Sequence, residues 1–485
     1  MHGIRNIATQ IYTKFAFEPT FGQKKIIEKL SEWVETGESD RIFILNGYAG
    51  TGKTTLVAAL VEVLRESGSK CVLMAPTGRA AKVLAQYTGE KTYTIHKKIY
   101  RQQSGAAIES KFSLDYNRER GAFFIVDEAS MLANGSSYED SLFGSGALLD
   151  DLVKYVFSGR DCRLLLVGDS AQLPPVGNDY SPALDPVYMS AFGTVEYGSL
   201  DDVVRQDIDS GILFNATLVR TMLENRIYDI PLLDMSYPDV KSIDGSEFME
   251  HIEECYSNWG RDQTIVITRS NKRANRYNDA LRRMVLYAEE EIESGDMLMV
   301  VKNNYYYAEE DEQSEGGMNF IANGDIARLR RLRRFEELYG FRFANAVLEF
   351  DDAEGTEVEC KILLDTISSE SPSLTRDENL RLFRAIEEDY PEIRSKAKRY
   401  KEIRENAYYN AVQVKFAYAV TCHKSQGGQW AAVFIDRMLF GDEPMSRDLM
   451  RWLYTAMTRA TEKLYFVNFD ERFFDVDSEN SDQKS

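Results

Sequence analysis

One stretch constrains the fold more than any other: the apolar run RIFILNG (41–47) leads straight into the glycine-rich sequence GYAGTGKTT (47–55). Apolar residues then recur at helical spacing, at Leu56, Val57, Leu60, Val61 and Leu64. A strand, a glycine-rich turn and a helix in this order bring backbone N–H groups and the positive end of a helix dipole onto an anion. The stretch therefore predicts a loop that binds the phosphates of a nucleotide; a plain glycine turn is the alternative.

The spacing assigns a role to most positions of this loop. Lys53 is expected to reach the β- and γ-phosphates, and Thr54 to ligate Mg²⁺. The glycines allow the backbone to approach the anion closely. The expected nucleotide contacts are Gly47, Gly50, Gly52, Lys53, Thr54 and Thr55.

An acidic pair follows the apolar run AFFIV (122–126). A carboxylate at the end of a strand, here Asp127, can hold Mg²⁺ through water, and its neighbour Glu128 can polarise an attacking water. A helix N-cap is the other interpretation of such a pair. With the loop upstream, the pair predicts cleavage of a nucleoside triphosphate with Mg²⁺ by an in-line water.

Apolar runs that alternate with helical patterns predict an α/β fold. The early runs are KCVLMAPT (70–77), AFFIVDEAS (122–130) and RLLLVGDS (163–170), and the later runs are QTIVITRS (263–270), AAVFIDRM (431–438) and KLYFVNF (463–469). Such alternation is typical of parallel sheets covered on both faces. We therefore predict two α/β domains.

Charge and composition narrow the class of protein. The 485 residues suggest roughly two to four domains. Their net charge of −20 argues against a polyanionic ligand at long range, although a locally basic groove can still bind one. The five cysteines have neither metal-site spacing nor an even count, which fits a reducing cytoplasm. Because no run of about 18 apolar residues occurs, we predict neither secretion nor a membrane span.

An ordered set of motifs along most of the chain, roughly 15–470, resembles superfamily-one helicases of the branch that contains the RecD and Dda proteins. Besides the loop, the set comprises APTGRAAK (75–82), TIHK (94–97), DEAS (127–130), GDSAQLPPVG (168–177), VVRQD (203–207), FAYAVTCHKSQGGQW (416–430) and YTAMTRA (454–460). An ordered set is far more specific than any single motif.

The resemblance implies two RecA-like P-loop NTPase domains with parallel sheets, a β-hairpin pin and a small src-homology-3-like β-barrel insertion. We expect the first domain over residues 1–190, with the pin at about 98–121. We expect the second domain over 191–318 and 413–475. The barrel and a charged helical segment are expected at 319–412, and a polar, disordered tail at 476–485.

The resemblance also implies how the two domains share the nucleotide. Gln23 is expected to read the adenine, and Gln172 and Gln426 to sense the γ-phosphate. Arg205 and Arg459 would stabilise charge on the γ-phosphate when the cleft closes. The expected catalytic residues are Lys53, Glu128, Gln172, Arg205 and Arg459. Surface ion pairs for the arginines, and a satisfied loop amide for Gln172, remain alternatives.

The motifs further imply a track for a nucleic-acid strand along the tops of both domains. The expected contacts are Pro76, Thr77, Thr94, His96, Phe112, Thr421, His423 and Lys424. Phe112, Leu114 and Tyr116 alternate along one side of a predicted strand in the pin, where an exposed aromatic would stack on the first broken base pair. The alternative is that these three side chains pack the hairpin onto its domain.

Three segments have no assigned role. Residues 287–318 are acidic and are interpreted as a solvated surface excursion. Residues 374–407 are highly charged and helical in pattern. The run 323–334 carries Arg328, Arg330, Arg331, Arg333 and Arg334, which form either a phosphate-contacting edge of the barrel or a solvated strand that balances acidic surroundings.

Taken together, the sequence predicts an ATP-dependent DNA helicase that uses ATP and Mg²⁺ and moves 5′ to 3′ on single-stranded DNA. The polarity is implied by the family branch alone. The alternatives are a translocase that strips proteins but unwinds poorly, and an ATP-switched subunit of a larger recombination or replication complex. We expect a cytoplasmic monomer that binds single/double-strand junctions, with single-strand-binding or replication and recombination proteins as possible partners.

Overall fold

Two parallel sheets and a closed barrel organise the chain. The computed structural model describes residues 7–15, 18–36, 38–102, 112–134, 144–202, 210–304, 306–307, 321–350, 357–437 and 443–474. Within these ranges, no helix combines the length and the apolar character needed to cross a bilayer.

The first domain is built on six parallel strands. These are β1 (Arg41–Gly47), β2 (Cys71–Ala75), β3 (Thr92–Thr94), β6 (Phe123–Val126), β7 (Arg163–Gly168) and β8 (Thr194–Leu200), in the order β3-β2-β6-β7-β1-β8. Its helices are α1 (Ile7–Lys14), α2 (Phe21–Glu35), α3 (Lys53–Glu66), α4 (Gly78–Thr88), α5 (Ile95–Ile99), α6 (Leu148–Ser158) and α7 (Pro186–Met189). Alternate residues of β1 enter separate cores: Ile42 and Ile44 lie on one side of the sheet, Phe43 and Leu45 on the other. Both faces are therefore covered, which explains the near-continuous apolar strands.

A small hairpin projects from this domain between α5 and β6. Its strands, β4 (Tyr100–Gln102) and β5 (Phe112–Leu114), are antiparallel, with Gln102 opposite Phe112. The residues between them lie outside the described ranges. The hairpin occupies the place predicted for the pin.

The second domain has a five-stranded parallel sheet. Its strands are β9 (Val240–Ile243), β10 (Thr264–Thr268), β16 (Ala419–Thr421), β17 (Trp430–Asp436) and β18 (Ala460–Val467), in the order β16-β10-β17-β18-β9. Its helices are α8 (Gly211–Glu224), α9 (Phe248–Trp259), α10 (Asn271–Met284), α14 (Cys422–Ser425) and α15 (Arg447–Met457). Every residue of β10 and β17 is buried, as expected for central strands of a doubly covered sheet.

A closed five-stranded barrel interrupts the second domain. It is formed by β11 (Met297–Val300), β12 (Ile326–Leu338), β13 (Phe341–Phe350), β14 (Glu357–Leu363) and β15 (Val412–Phe416). Three helices accompany it: α11 (Asp365–Ser368), α12 (Arg376–Glu387) and α13 (Lys396–Arg404). The predicted α/β fold, with its two RecA-like domains, hairpin and small barrel, is confirmed.

The predicted boundaries differ from the structure in two places. β8 pairs with β1, so the first sheet continues past residue 190 to Leu200. The barrel begins at Met297 rather than at 319, because β11 pairs with both β12 and β15. The interpretation of 287–318 as solvated surface is therefore wrong for 296–301, where all six residues are buried. Four apolar residues are too few to stand out beside an acidic stretch.

The charged helical segment has a packing role. One face of α12 and α13 buries a cluster of apolar side chains against the barrel residues Phe341 and Phe343. The members contributed by the two helices are Leu382, Phe383, Ile386, Tyr400 and Ile403. The helices thus cover part of the barrel with their apolar side, and their many charges face solvent.

A buried ion pair fixes the barrel to the second domain. Arg282 on α10 donates two hydrogen bonds to Asp296, at 2.8 and 2.9 Å, and both side chains are less than a tenth exposed. The hydroxyl of Tyr418 donates to the same carboxylate at 3.0 Å. Asp296 directly precedes β11, so these contacts hold the start of the barrel against the second domain.

We expect Asp296→Ala to destabilise the protein by about 3–5 kcal/mol, because it leaves the Arg282 charge buried without its partner. Chemical denaturation measures the loss. The control is Glu405→Ala, which breaks the exposed 3.7 Å pair with Lys401 and is expected to cost at most about 1 kcal/mol. Equal shifts in the two variants would contradict the proposed role of Asp296.

Candidate active site

The glycine-rich loop has the backbone geometry that anion binding requires. It connects β1, which ends at Gly47, to α3, which begins at Lys53. Gly50 and Gly52 have φ of 72° and 79°, in the left-handed region that side chains disfavour. A Cβ at Gly47 would lie 2.8 Å from Lys53 Cγ, so that glycine is needed for close approach. The loop therefore fits a bound phosphate group.

Two side chains donate hydrogen bonds to backbone carbonyls of the loop. The Lys53 ammonium donates to the carbonyl of Tyr48 at 2.8 Å. Gln23 donates to the carbonyl of Thr51 at 3.0 Å, and its own carbonyl oxygen accepts from the amide of Thr20 at 2.9 Å. The Gln23 amide thus braces the loop and caps α2. These contacts use one of its two N–H donors and one lone pair of its oxygen, which leaves the second N–H and lone pair for an adenine.

The acidic pair lies where β6 ends. The amide of Glu128 donates to Asp127 Oδ1 at 2.9 Å. Burial, and then the charge of Glu128, raise the pKa of Asp127 to about 6, while Lys53 acts in the opposite direction. Glu128 precedes a short 3₁₀ turn, Ala129–Met131, but its side chain makes no capping hydrogen bond. Its carboxylate is therefore available for chemistry, and the N-cap interpretation fails.

Tyr454 bridges the two domains at the loop. Its hydroxyl donates to Asp169 at 2.7 Å and accepts from the amide of Ala49 at 3.0 Å. Tyr454 and Asp169 are each 1% exposed. One hydroxyl of α15 thus contacts both the phosphate-binding loop and the segment that follows β7.

Arg459 reaches the acidic pair from the second domain. Its guanidinium lies 3.8 Å from Glu128 Oε1 and is 4% exposed. It also donates to the carbonyls of Gly428 and Thr455, at 3.3 and 3.1 Å. Arg459 is therefore held at the domain boundary, and the surface ion-pair interpretation does not apply to it. Arg205, the other predicted arginine, lies outside the described residues.

A second set of hydrogen bonds joins the segment after β7 to the second domain. The amide of Leu173 donates to the Thr455 hydroxyl at 2.8 Å, and Gln426 donates to the Leu173 carbonyl at 2.9 Å. Gln172 is 6% exposed, and its Oε1 has no partner among the described residues. An unpaired acceptor in this place fits a polar ligand, whereas Gln426 is engaged with Leu173.

Of the residues predicted to contact the nucleic-acid strand, some lie at helix caps and others lie beside the barrel. Thr77 and Thr94 precede α4 and α5, and their hydroxyls accept from the amides of Ala80 and Lys97. Thr421 precedes α14 without a side-chain cap. Pro76 and His96 adjoin the first two caps, and His423 lies within α14.

The barrel closes over this row of contacts. Lys424 donates to Asn323 at 2.6 Å. A Cβ at Gly78 would lie 2.0 Å from Asp325 Oδ1, so the start of α4 packs directly against the barrel. The predicted strand-contacting motifs of both domains therefore meet the barrel in one region.

The hairpin side chains do not all face the same way. Phe112 and Leu114 pack against the core of the first domain, whereas Tyr116 is 69% exposed. The packing alternative therefore holds for Phe112 and Leu114. Tyr116, which lies beyond β5, is the exposed aromatic residue of this group.

Sequence reasoning missed several contacts at the domain boundary. Tyr454 lies inside a quoted motif, but nothing in the motif indicates its hydrogen bonds. Arg79 stacks 3.8 Å from the ring of Trp430, and Arg220 lies 4.3 Å from the ring of Tyr48. These pairs are far apart in sequence and become visible only in the folded chain.

The fold and the site together define a two-domain P-loop protein with RecA-like sheets. A family model described as an AAA domain matches residues 21–221, and one described as a UvrD-like helicase C-terminal domain matches residues 416–467. The first match covers the loop and the acidic pair, and the second covers Gln426 and Arg459.

Three relatives extend these matches. The uncharacterized protein R530 of Acanthamoeba polyphaga mimivirus is 24% identical over 92% of this chain and 99% of its own. The ATP-dependent RecD2 DNA helicase of Deinococcus radiodurans is 31% identical over 33% of this chain and 19% of its own. The ATP-dependent DNA helicase dda of Enterobacteria phage T4 is 30% identical over 36% of each chain.

These matches confirm the predicted resemblance to superfamily-one helicases of the RecD and Dda branch. The chain spans nearly all of the mimivirus protein, but only about a fifth of the Deinococcus helicase and about a third of the phage helicase.

We expect Tyr454→Phe to destabilise the protein by about 1–3 kcal/mol, because the buried Asp169 carboxylate and the Ala49 amide lose a partner. Chemical denaturation measures the change. Tyr465→Phe is the matched control. Among the described residues, the Tyr465 hydroxyl has a weak hydrogen bond from the Cys255 thiol, at 3.8 Å. Equal losses in the two variants would show that the bridge contributes nothing specific.

Proposed function

We propose that the protein is an ATP-driven DNA helicase that moves 5′ to 3′ on single-stranded DNA and opens the duplex ahead of it. One observation carries the proposal: residues of the second domain contact the phosphate-binding loop and the catalytic carboxylate of the first. A nucleotide at this boundary is touched by both domains, so its cleavage changes how they close.

ATP is the proposed fuel. Lys53 exchanges its contact with the Tyr48 carbonyl for the β- and γ-phosphates, and the loop amides hold the same groups. Glu128 orients and polarises the attacking water. Arg459 stabilises charge that develops on the γ-phosphate, because it lies buried beside Glu128. Arg205 is proposed to assist from the same domain.

Mg²⁺ is proposed to be held by Thr54 and by Asp127 through water. These donors fit a hard cation: a hydroxyl at the start of α3, and a carboxyl group at the end of β6 whose charge Lys53 influences. Burial raises the pKa of Asp127, and a bound cation would act in the opposite direction by favouring the carboxylate form. When bound, the ion neutralises phosphate charge.

The route from nucleotide to strand is short. Gln426 is hydrogen-bonded to the segment that Tyr454 also contacts, and it directly follows α14, the short helix that carries Lys424. Thr421, His423 and Lys424 are proposed to hold the strand from the second domain, and Thr77, Thr94 and His96 from the first. Hydroxyls and backbone amides supply most of these contacts, which reconciles strand binding with a net charge of −20.

Strand separation is assigned to the hairpin. Phe112 and Leu114 anchor it, and the exposed Tyr116 is available to stack on an opened base pair. Opening one base-pair step costs about 1.4 kcal/mol. Pulling one strand past the hairpin in each cycle of cleavage supplies free energy on that scale.

The direct test compares duplexes that carry either a 5′ or a 3′ single-stranded tail, with ATP and Mg²⁺. We expect unwinding of the 5′-tailed duplex only, together with ATP turnover that oligonucleotide stimulates. Lys53→Ala is expected to abolish turnover and unwinding while single-strand binding persists, because only the phosphate contact is lost.

Each contrary result removes a defined part of the proposal. Unwinding of the 3′-tailed duplex alone would reverse the direction. Stimulated turnover without unwinding would leave a translocase. Turnover that ignores added oligonucleotide would contradict the motor itself.

A further inference from the structure

The arginine-rich strand of the barrel is not used by the motor described above. β12 carries Arg328, Arg330, Arg331, Arg333 and Arg334, all of them exposed. Arg330 is ion-paired with Glu349 at 2.5 Å. For the last three arginines, no ion pair to a described residue occurs within 4.0 Å.

Two irregularities in β12 bring the side chains of Arg331, Arg333 and Arg334 close together. The pairing with β13 shifts register between Leu329 and Arg331, and again between Arg333 and Glu336. Arg334 has a φ of 50°, in the left-handed region. Neighbouring residues of a regular strand point to opposite faces, but a bulge redirects one of them. Arg333 and Arg334, adjacent in sequence, consequently line the same concavity.

That concavity has a volume of about 370 Å³. Its polar lining is Arg331, Arg333, Arg334, Asn345 and Glu359, and the rest is Ala346 and Val347. Glu359 is the one acidic residue among the described residues that line it, so the local charge is positive. Glu336 lies nearby on β12, but it is ion-paired with Lys361 at 2.7 Å. This basic concavity is opposite in sign to the net charge of the chain, −20.

The concavity lies away from the proposed strand track. β12 starts beside Asp325, which packs against Gly78 at the track. Arg331 and Arg334 come six and nine residues later. At about 3.3 Å per residue, the strand separates them from that contact by up to roughly 20–30 Å. A ligand bound here is therefore a different part of the nucleic acid from the strand in the track.

We propose that Arg331, Arg333 and Arg334 bind the phosphate backbone of the duplex arm of a junction. Guanidinium groups pair with phosphate oxygens through forked hydrogen bonds. None of the described residues that line the concavity is aromatic, so we assign it to the backbone rather than to stacked bases. The inference rests on the proposed function only in taking nucleic acid as the substrate.

The test measures binding of a short blunt duplex and of an oligothymidylate without nucleotide, between about 50 and 200 mM salt. The variant combines Arg331→Gln, Arg333→Gln and Arg334→Gln. We expect weaker duplex binding and a salt dependence less steep by about 2–3 in log–log slope, at about 0.9 per lost contact. Oligothymidylate binding and oligothymidylate-stimulated turnover should not change.

The matched control removes three positive charges from exposed positions on α13: Lys396→Gln, Lys398→Gln and Lys401→Gln. It should leave the duplex salt slope unchanged, and thermal melting checks that both variants fold. The proposal is overturned if the two triple variants bind duplex alike, or if the arginine variant loses oligothymidylate binding instead. Failure of the motor proposal would appear in ATP turnover, which the duplex-binding assay does not use.

Discussion

The hydroxyl of Tyr454 joins the two domains at the phosphate-binding loop. It contacts the Ala49 amide and the Asp169 carboxylate, residues that lie 405 and 285 positions away in sequence. Tyr454 and Asp169 are buried and Ala49 is half-buried, so separating the domains leaves these groups unpaired unless water or a ligand replaces the bond. The position of the second domain is thereby tied to the conformation of the loop that binds phosphate.

The barrel joins the second domain to the region where the predicted strand-contacting motifs lie. It is inserted between α10 and β16, and Asp296 anchors its first strand to the second domain. Its other contacts, through Asn323 and Asp325, fall on the row of strand-contacting motifs. In the proposed motor, the barrel moves with the second domain and closes over the strand track. We propose that its basic strand faces the duplex arm of the substrate.

The features that depend on residues close together in sequence could be predicted from the sequence. The glycines of the loop, the acidic pair and the buried parallel strands follow from residues close together in sequence. The hydrogen bonds of Tyr454 could not be predicted, because its partners Ala49 and Asp169 are distant in sequence. β11 was missed because four apolar residues carry little periodicity. The contacts of Gln23 with the chain were also not predicted: its N–H braces the loop at Thr51, and its oxygen caps α2 at Thr20. Its contact with adenine stays a prediction.

Hydrogen exchange tests most directly whether one nucleotide is held by both domains. Exchange is followed at residues 47–56 and at 454–460, with and without a slowly hydrolysed ATP analogue. The structure predicts that the analogue slows exchange in both segments together, and that Lys53→Ala abolishes both effects. Protection confined to residues 47–56, with residues 454–460 unaffected, would contradict a shared site.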